Sequence, residues 1–268
     1  MAPVRDARVL ALRHETPRGS SHVESIATEA PLEIRLGGAA STVLMRTPGD
    51  DEELVSGFLF DEGLIQGVAD IVALRRPATS GDETGNVIDV ELVPSRYVPV
   101  QRLFYSSSSC GVCGKNSIAA LAIRAEPCAS RLAVRRSVLV GLPARMREAQ
   151  PAYRATGGVH AAGLFAADGA LDAVREDVGR HNAVDKLVGW ALAKGLVPLA
   201  GHGLLVSGRV SYEIVQKAIA AGVPIVASVG APSSLAVDLA VRFGITLVGF
   251  LRADAMNVYA YPERIVEG

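Results

Sequence analysis

The C-terminal third of the chain alternates between segments with helical and with strand-like spacing of apolar residues. In chain order, the pattern predicts a helix at 183–194, a strand at 203–207, a helix at 212–221, a strand at 224–229, a helix at 234–243 and a strand at 246–251. Such strands are joined by right-handed crossovers, and helices cover both faces of the sheet. This pattern constrains the fold more than any other feature of the sequence, and it predicts a three-layer α/β/α domain.

The region from residue 31 to 105 shows a different pattern, in which short strands surround a helix. The predicted elements are strands at 32–36 and 41–46, a helix that ends near 63, and strands at 70–74 and 86–93. Gly37 and Gly38 can turn the chain between the first two strands, which predicts a hairpin. Acidic residues at 50–53 favour a helix start, because carboxylates are stabilised at the positive end of a helix. We therefore expect a small N-terminal α+β domain.

Two segments lack a regular pattern and flank this small domain. Residues 1–30 mix charged, polar and apolar residues without a period, so we expect a flexible N-terminal arm and assign it no function. Residues 106–116 are rich in serine and glycine, which predicts a mobile loop. The predicted second domain covers residues 117–268, where helices at 117–124 and 142–149 and paired strands at 159–165 and 170–174 precede the alternating region.

Charge and hydrophobicity argue against some classes of partner and favour a cytoplasmic location. The 27 basic and 28 acidic residues give a formal net charge of −1, so no overall positive field attracts nucleic acid or anionic lipid. Charges interrupt residues 1–30, unlike a secretion signal, and the apolar stretch 218–231 is shorter than the roughly 20 residues that cross a bilayer. We expect a soluble cytoplasmic protein without nucleic-acid or membrane partners, in which any anion site is local.

A pair of cysteines is the clearest candidate for chemistry. Cys110 and Cys113 are flanked by glycines and followed by Lys115. A nearby cation favours the thiolate, which can accept a sulfur atom as a persulfide while a second thiol protects or relays it. The same Cys-x-x-Cys spacing also forms half of a zinc site, which needs two more ligands. From the residues alone, sulfur or redox chemistry, metal binding and inert loop cysteines all remain open.

The other cysteine and the histidines offer few further zinc ligands. We expect Cys128 to be an ordinary small apolar side chain. His160, His181 and His202 could come together in the fold, but no second pair has metal-ligand spacing. His160 lies in an apolar run, so it is either a buried, hydrogen-bonded histidine or a ligand contact. We predict no resident metal.

A dense polar cluster precedes the helix at 183–194. Its members are Asp177, Arg180, His181, Asn182, Asp185 and Lys186. Such a cluster either contributes to a pocket or combines a helix cap with surface salt bridges. Both interpretations remain open.

Several long motifs occur in a fixed order along the chain. They are residues 109–115 around the cysteine pair, 156–162, 175–186, 207–211, 230–234, and 249–252 continuing to 257–259. In order and spacing they resemble the FdhD family of formate dehydrogenase accessory sulfurtransferases. The resemblance extends from residue 30 to residue 266.

The resemblance implies a cytoplasmic sulfurtransferase that takes sulfur from a cysteine desulfurase. The sulfur would pass to the bis-molybdopterin guanine dinucleotide form of the molybdenum cofactor, which then enters formate dehydrogenase. The resemblance also implies a homodimer and a cytidine deaminase-like fold for the second domain. As catalytic residues it implies Cys110 and Cys113, one of which carries the persulfide, and we favour Cys110.

The resemblance further implies a cofactor-binding stretch near the C-terminus, where Arg252 is the only cation. Its residues are Phe250, Leu251, Arg252, Ala253, Asp254 and Ala255, with a looser match in the last three. Loops at the carboxyl ends of strands suit the pyrophosphate of a guanine dinucleotide. We therefore include Ser207, Gly208 and Arg209, since Gly208 allows close backbone approach and Arg209 can fork onto phosphate, although the same residues could form only a cap and turn. His160 and His181 complete the predicted cofactor-binding set.

Two alternative functions follow from the same residues. A noncatalytic chaperone would bind the molybdenum nucleotide and hand it to its client without using the cysteines. A zinc-dependent nucleoside deaminase would need bound metal and a carboxylate as general acid and base. Such deaminases use His-x-Glu followed by Pro-Cys-x-x-Cys, whereas here Ala161 and Ala162 follow His160 and the cysteine pair lies upstream.

Overall fold

In a computed structural model of the protein, the described residues are 1–11, 20–77, 85–96 and 126–267. Cys110, Cys113 and Lys115 lie outside the described residues, and so does the predicted helix at 117–124. The predicted domain boundaries after residues 105 and 116 fall in the same part of the chain. The structure therefore bears on the remainder of the chain rather than on the predicted sulfur-carrying loop.

The N-terminal residues form two paired strands where the sequence predicts no regular element. Strand β1 (Val4–Ala11) pairs antiparallel with β2 (Ser20–Ala27). The first five residues of β2 are exposed, so the strand lacks the apolar alternation by which a half-buried strand is recognised. The flexibility of this arm stays a prediction.

A four-stranded sheet and a helix follow. The elements are β3 (Ala30–Leu36), β4 (Ala39–Arg46), α1 (Asp51–Asp61), β5 (Ile71–Arg75) and β6 (Val87–Leu92). The strand order is β4-β3-β6-β5, in which β3 runs antiparallel to β4 and parallel to β6. Leu32 and Ile34 alternate on β3 and pack in one buried cluster with Leu54, Val55 and Leu59 of α1. The predicted hairpin and helix are confirmed.

The last described range of the chain forms a six-stranded mixed sheet with helices around it. In chain order the elements are β7 (Val134–Arg135), α2 (Arg136–Glu148), α3 (Pro151–Thr156), β8 (His160–Phe165), β9 (Leu171–Asp177), α4 (Arg180–Ala193), β10 (Gly203–Val206), α5 (Tyr212–Ala220), β11 (Ile225–Ser228), α6 (Ser234–Phe243), β12 (Thr246–Gly249), β13 (Asn257–Ala260) and β14 (Ile265–Val266). The strand order is β13-β12-β11-β10-β8-β9. Strands β10, β11 and β12 are parallel, whereas β8 is antiparallel to β10 and β9 is antiparallel to β8. Strands β7 and β14 form a separate short parallel pair.

Hydrophobic clusters cover both faces of the six-stranded sheet. On one face, Leu187 of α4 and Leu239 of α6 pack with Leu204 of β10. On the other face, Leu139 of α2 packs with Leu205 of the same strand. Neighbouring strand residues point to opposite faces, which is why adjacent leucines belong to different clusters. The predicted three-layer α/β/α arrangement is confirmed.

The differences from the predicted elements have local causes. Helix α2 begins at Arg136 rather than at the predicted residue 142, and Pro143 lies inside it. A proline is favoured in the first turn of a helix, so in the sequence Pro143 makes residue 142 look like a helix start. The predicted helix therefore begins too late. Elements such as α3, β7 and β14 span too few residues to show an apolar period.

Helix α1 packs very closely on α4 and joins the small sheet to the large one. A Cβ atom on Gly57 would lie 1.9 Å from the backbone oxygen of Asp185, and one on Gly189 would lie 1.9 Å from the backbone oxygen of Glu53. Only glycine, which has no Cβ, permits so short a distance between two helices. The small sheet thereby supports the helix whose first turn carries the predicted site residue His181.

Candidate functional site

The predicted cofactor-binding residues converge on one edge of the six-stranded sheet. The parallel strands β10, β11 and β12 end there, and each is followed by one of the loops at 207–211, 229–233 and 250–256. Because β8 and β9 form an antiparallel pair, the start of β8 at His160 meets the end of β9 at Asp177 on the same edge. Ligands of open α/β sheets bind at the carboxyl ends of the parallel strands. We refer to this edge and its loops as the carboxyl edge.

Close packing of two glycines brings the first two loops together. A Cβ on Gly230 would lie 2.8 Å from the backbone oxygen of Gly208, and one on Gly208 would lie 3.1 Å from Nδ1 of His160. The Ser228 hydroxyl donates to the Gly208 carbonyl and accepts from the Gly230 amide at 2.8 Å. A Cβ on Gly230 would press against the backbone of the first loop and separate the two loops, whereas a Cβ on Gly208 would press against the ring of His160.

The third loop is bound to the second by backbone hydrogen bonds. The Phe250 amide donates to the Gly230 carbonyl at 2.9 Å, and the Leu251 amide donates to the Ser228 carbonyl at the same distance. Nη1 of Arg252 donates to the Val229 carbonyl at 2.6 Å. Arg252, which was predicted to bind phosphate, therefore uses part of its guanidinium to connect the second and third loops.

The six residues of the predicted stretch differ in what they offer a ligand. Phe250 has a φ of 52°, which side-chain-bearing residues rarely adopt, and the residue is 43% exposed. Leu251 is fully buried in the cluster under α2, so its side chain belongs to the core. Ala253, Asp254 and Ala255 are exposed in a turn that the Arg252 amide closes onto the Ala255 carbonyl at 2.8 Å.

The residues of the first loop also have separate roles. Ser207 exchanges two hydrogen bonds with Ala161: its amide donates to the Ala161 carbonyl at 3.0 Å, and its hydroxyl accepts from the Ala161 amide at 2.9 Å. Arg209 is exposed. Ser207 thus extends the pairing of β8 with β10, while Gly208 and Arg209 remain at the open side of the edge.

His181 lies in the first turn of α4 and is bound to the loop after β10. Its Nε2 is 3.1 Å from Oγ of Ser211 and 3.8 Å from the carboxylate of Glu213. Burial, together with the charges of Arg180 and Lys217, lowers the pKa of His181 to about 4. At neutral pH the ring is therefore uncharged.

Glu213 and Ser211 both lie near Nε2 of the His181 ring. Burial alone would raise the pKa of Glu213, but the hydrogen bond from Ser211 and nearby positive charge bring the pKa below its usual value. The Ser211 hydroxyl therefore connects the His181 ring to a carboxylate that is ionised at neutral pH.

His160 is half-buried at the start of β8, beside Gly208. Burial and the charge of Arg180 lower its pKa, although Asp177 opposes the shift. The carboxyl edge therefore contains two histidines that are neutral at pH 7. The role of His160 in binding a ligand stays a prediction. Its partial burial is consistent with its position in an apolar stretch of the sequence.

Most of the polar cluster at 177–186 forms a buried network with the small sheet. Lys186 pairs with Asp177 at 2.8 Å and donates to the Thr47 carbonyl at 2.9 Å. The Thr47 amide donates to Asp177 at 3.0 Å, and the Asn182 side chain donates to the Met45 carbonyl at 2.8 Å. Neither of the two interpretations of this cluster included such a network, because its partners lie far away in the sequence.

The remaining predicted zinc candidates lie away from the carboxyl edge. His202 precedes β10 at the opposite end of the strand and pairs with Asp172 at 3.0 Å. Cys128 packs against the core and lines a cavity of about 380 Å³ at that opposite edge. Among the described residues, no group of three or more His, Cys, Asp and Glu side chains could hold a metal ion. Nor is any helix in these ranges long and apolar enough to cross a membrane.

Sequence reasoning did not select Arg180 as a site residue. Its Nε is buried and has no hydrogen-bond acceptor within the described residues. Its charge contributes to the lowered pKa values of both His160 and His181. The density of polar residues before α4 was the available signal, but only the three-dimensional neighbours distinguish Arg180 from the paired residues around it.

The fold is that of an α/β protein whose predicted cofactor-binding residues lie at the carboxyl ends of its parallel strands. The FdhD/NarQ family model matches residues 27–266. The chain belongs to this family.

Relatives of known name agree with this assignment. The chain is 51% identical over 250 residues to the sulfur carrier protein FdhD of Mycolicibacterium paratuberculosis, with 90% of this chain and 92% of the relative covered. It is 46% identical over 272 residues to the protein of the same name from Anaeromyxobacter dehalogenans, with 97% and 94% covered. A crystal structure described as a formate dehydrogenase accessory protein from Desulfotalea psychrophila superposes with a TM-score of 0.78 at 27% identity, covering 98% of this chain and 99% of that chain.

Proposed function

We propose that the protein is a cytoplasmic sulfur carrier required for formate dehydrogenase activity. Cys110 and Cys113 accept sulfur from a cysteine desulfurase, and the carboxyl edge binds the guanine dinucleotide of the molybdenum cofactor that receives it. The proposal rests mainly on sequence identity: over most of its length, the chain is 51% identical to proteins that are named sulfur carriers. The polar, glycine-lined carboxyl edge supports the cofactor site. The working unit is a homodimer.

The loading step moves one sulfur atom without net oxidation. The Cys110 thiolate attacks the terminal sulfur of a persulfide on the desulfurase. The donor's sulfur–sulfur bond breaks, its cysteine leaves as a thiolate, and Cys110 becomes the persulfide. Lys115, close in sequence, favours the thiolate form of the attacking group.

The delivery step uses the second cysteine. The Cys113 thiolate attacks the inner sulfur of the Cys110 persulfide, a disulfide forms between the two residues, and the terminal sulfur leaves as hydrosulfide. The hydrosulfide passes to the molybdenum cofactor, which is the substrate here. A dithiol reductant then returns the loop to its two thiols, which completes the cycle with atoms and electrons balanced.

A reconstituted transfer assay tests this function. The protein is incubated with a cysteine desulfurase, radiolabelled cysteine and the guanine dinucleotide cofactor, and formate dehydrogenase is then activated with the product. Cys110→Ala should abolish both labelling of the cofactor and activation of the enzyme. Cys128→Ala is the matched control and should retain both, because Cys128 packs at the opposite edge of the sheet.

A different pattern in the same assay would contradict the carrier function. If the double variant Cys110→Ala, Cys113→Ala still binds the cofactor and activates formate dehydrogenase fully, sulfur does not pass through the loop. That result would instead identify a noncatalytic chaperone.

A further inference from the structure

Arg180 differs from the other partly or fully buried arginines of the described structure. Arg46 pairs with Asp51 at 2.9 Å, Arg175 pairs with Glu53, and Arg264 donates to the Gly244 carbonyl at 2.9 Å. In contrast, Nε of Arg180 is buried and finds no acceptor in the described ranges. A buried donor on a charged group without a partner carries the full desolvation penalty, so such groups are retained mainly where a ligand completes them.

The position of Arg180 indicates where such a ligand lies. The residue opens α4 directly after the turn from β9, and its Cδ is 3.8 Å from the Cβ position of Gly208. The same Cβ position is 3.1 Å from Nδ1 of His160. The side chain thus lies beside Gly208 in the loop after β10, close enough to both histidines for its charge to disfavour their charged forms.

The two acids at this edge do not provide an acceptor for Nε of Arg180. Glu213 is the nearby carboxylate, and the charge of Arg180 helps to lower its pKa, but Glu213 is bound to Ser211 and lies 3.8 Å from His181. Asp177, the other acid, pairs with Lys186 at 2.8 Å. Within the described residues, the Nε–H of Arg180 is therefore left without a hydrogen bond.

We propose that the Arg180 guanidinium binds a phosphate group of the guanine nucleotide at the carboxyl edge. This inference rests on the proposed function, which supplies the nucleotide. A planar guanidinium can donate two parallel hydrogen bonds to phosphate oxygens, and a bound anion would give the Nε–H of Arg180 an acceptor.

Arg180 fits this role better than the cation predicted from the resemblance. Nη1 of Arg252 already donates to the carbonyls of Val229 and Leu251, at 2.6 and 2.9 Å. Its guanidinium is therefore partly committed to the loops, whereas that of Arg180 has an unsatisfied donor. Arg252 orders the third loop, and Arg180 supplies the anion contact.

Calorimetric titration with guanosine diphosphate and with guanosine tests the proposal. Arg180→Gln should weaken binding of the diphosphate roughly 10- to 100-fold, the loss expected for a charge-assisted contact, and leave guanosine affinity unchanged. Arg180→Lys, which keeps the charge but not the fork, should show an intermediate loss. Arg242→Gln, on the far end of α6, is the control and should bind both ligands as wild type does.

Thermal unfolding without ligand separates binding from a structural role. Because Nε of Arg180 is unsatisfied, Arg180→Gln should unfold at the same temperature as wild type or at a higher one. A lower unfolding temperature together with equal losses for diphosphate and guanosine would identify Arg180 as a structural residue and overturn the proposal. Unchanged diphosphate binding in Arg180→Gln would overturn it as well.

Failure of wild type to bind guanosine diphosphate would count against the nucleotide site of the proposed function, not by itself against Arg180. Inorganic pyrophosphate then decides the role of Arg180. A rise in the unfolding temperature of wild type that Arg180→Gln abolishes would keep Arg180 as an anion-binding residue. No rise in wild type would overturn that role.

Discussion

Individual residues at the carboxyl edge adopt unfavourable local states. Phe250 has a left-handed backbone and is exposed, and Arg180 has a buried donor that finds no acceptor in the described ranges. His181 is buried as a neutral ring, with its Nε2 3.1 Å from Oγ of Ser211. Such features reduce stability and occur together where a ligand is bound. We therefore expect substitutions of these residues to change ligand affinity and the free energy of unfolding by different amounts.

Phe250 should contribute to binding of the base rather than of the phosphate. Phe250→Ala should weaken guanosine and guanosine diphosphate equally, by roughly 5- to 100-fold, if its exposed ring stacks on guanine. Arg180→Gln should affect only the diphosphate, so calorimetry distinguishes the two residues. Val241→Ala, which removes part of an exposed apolar side chain near the opposite end of α6, is the control. Unchanged guanosine affinity in Phe250→Ala would exclude stacking.

His181 should make stability depend on pH below neutrality. Its pKa of about 4 in the folded protein lies below the unfolded value of 6.5, so the unfolded chain binds the proton more tightly. The stabilisation is fully present above pH 6.5 and is lost as the pH falls towards 4, by on the order of 3 kcal/mol.

Urea unfolding at pH 7 and pH 4.5 measures this dependence. His181→Gln keeps a donor for Ser211 but does not titrate, so its unfolding free energy should fall less between the two pH values than that of wild type. The buried acids Asp61 and Asp177 titrate in both proteins and cancel in the comparison. Equal losses in both proteins would show that the folded His181 is not disfavoured in its charged form.

At the scale of elements, the contact between α1 and α4 determines how the small sheet supports the carboxyl edge. The two helices approach so closely that Gly57 and Gly189 each contact the backbone of the other helix. Lys217 of α5 is buried on the same side of the sheet, where it pairs with Asp185 of α4 and with Asp61 of α1. Three helices are thus joined around one buried cation.

A methyl group in this contact should therefore destabilise the protein. Gly57→Ala places a Cβ 1.9 Å from a backbone oxygen, which cannot be relieved without moving a helix, and should reduce the unfolding free energy by about 2–3 kcal/mol. Gly141→Ala in α2 is the matched control, because its Cβ meets nothing within 4 Å; it should be neutral or stabilise by up to about 1 kcal/mol. Similar unfolding free energies for the two variants would contradict the close contact.

At the scale of the whole molecule, features set by local spacing were predictable and features set by distant neighbours were not. The alternating helices and strands followed from apolar periodicity, and the loops after β10 and β12 followed from where those strands end. Strand β2 was missed because its first residues are exposed, and α2 was shortened because of Pro143. The partners of Asp177 and the isolation of Arg180 depend on residues distant in sequence, such as Thr47 and Gly208, and no local pattern contains them.

The central claim is that Cys110 and Cys113 carry the sulfur. Intact mass after incubation with a cysteine desulfurase and cysteine tests it most directly. We expect Cys113→Ala, which lacks the thiol that releases the sulfur, to gain about 32 Da per sulfur atom, reversibly with reductant, with or without the additional change Cys128→Ala, and Cys110→Ala to gain nothing. No gain in Cys113→Ala, or a gain that persists when Cys110 and Cys113 are both replaced, would contradict the claim.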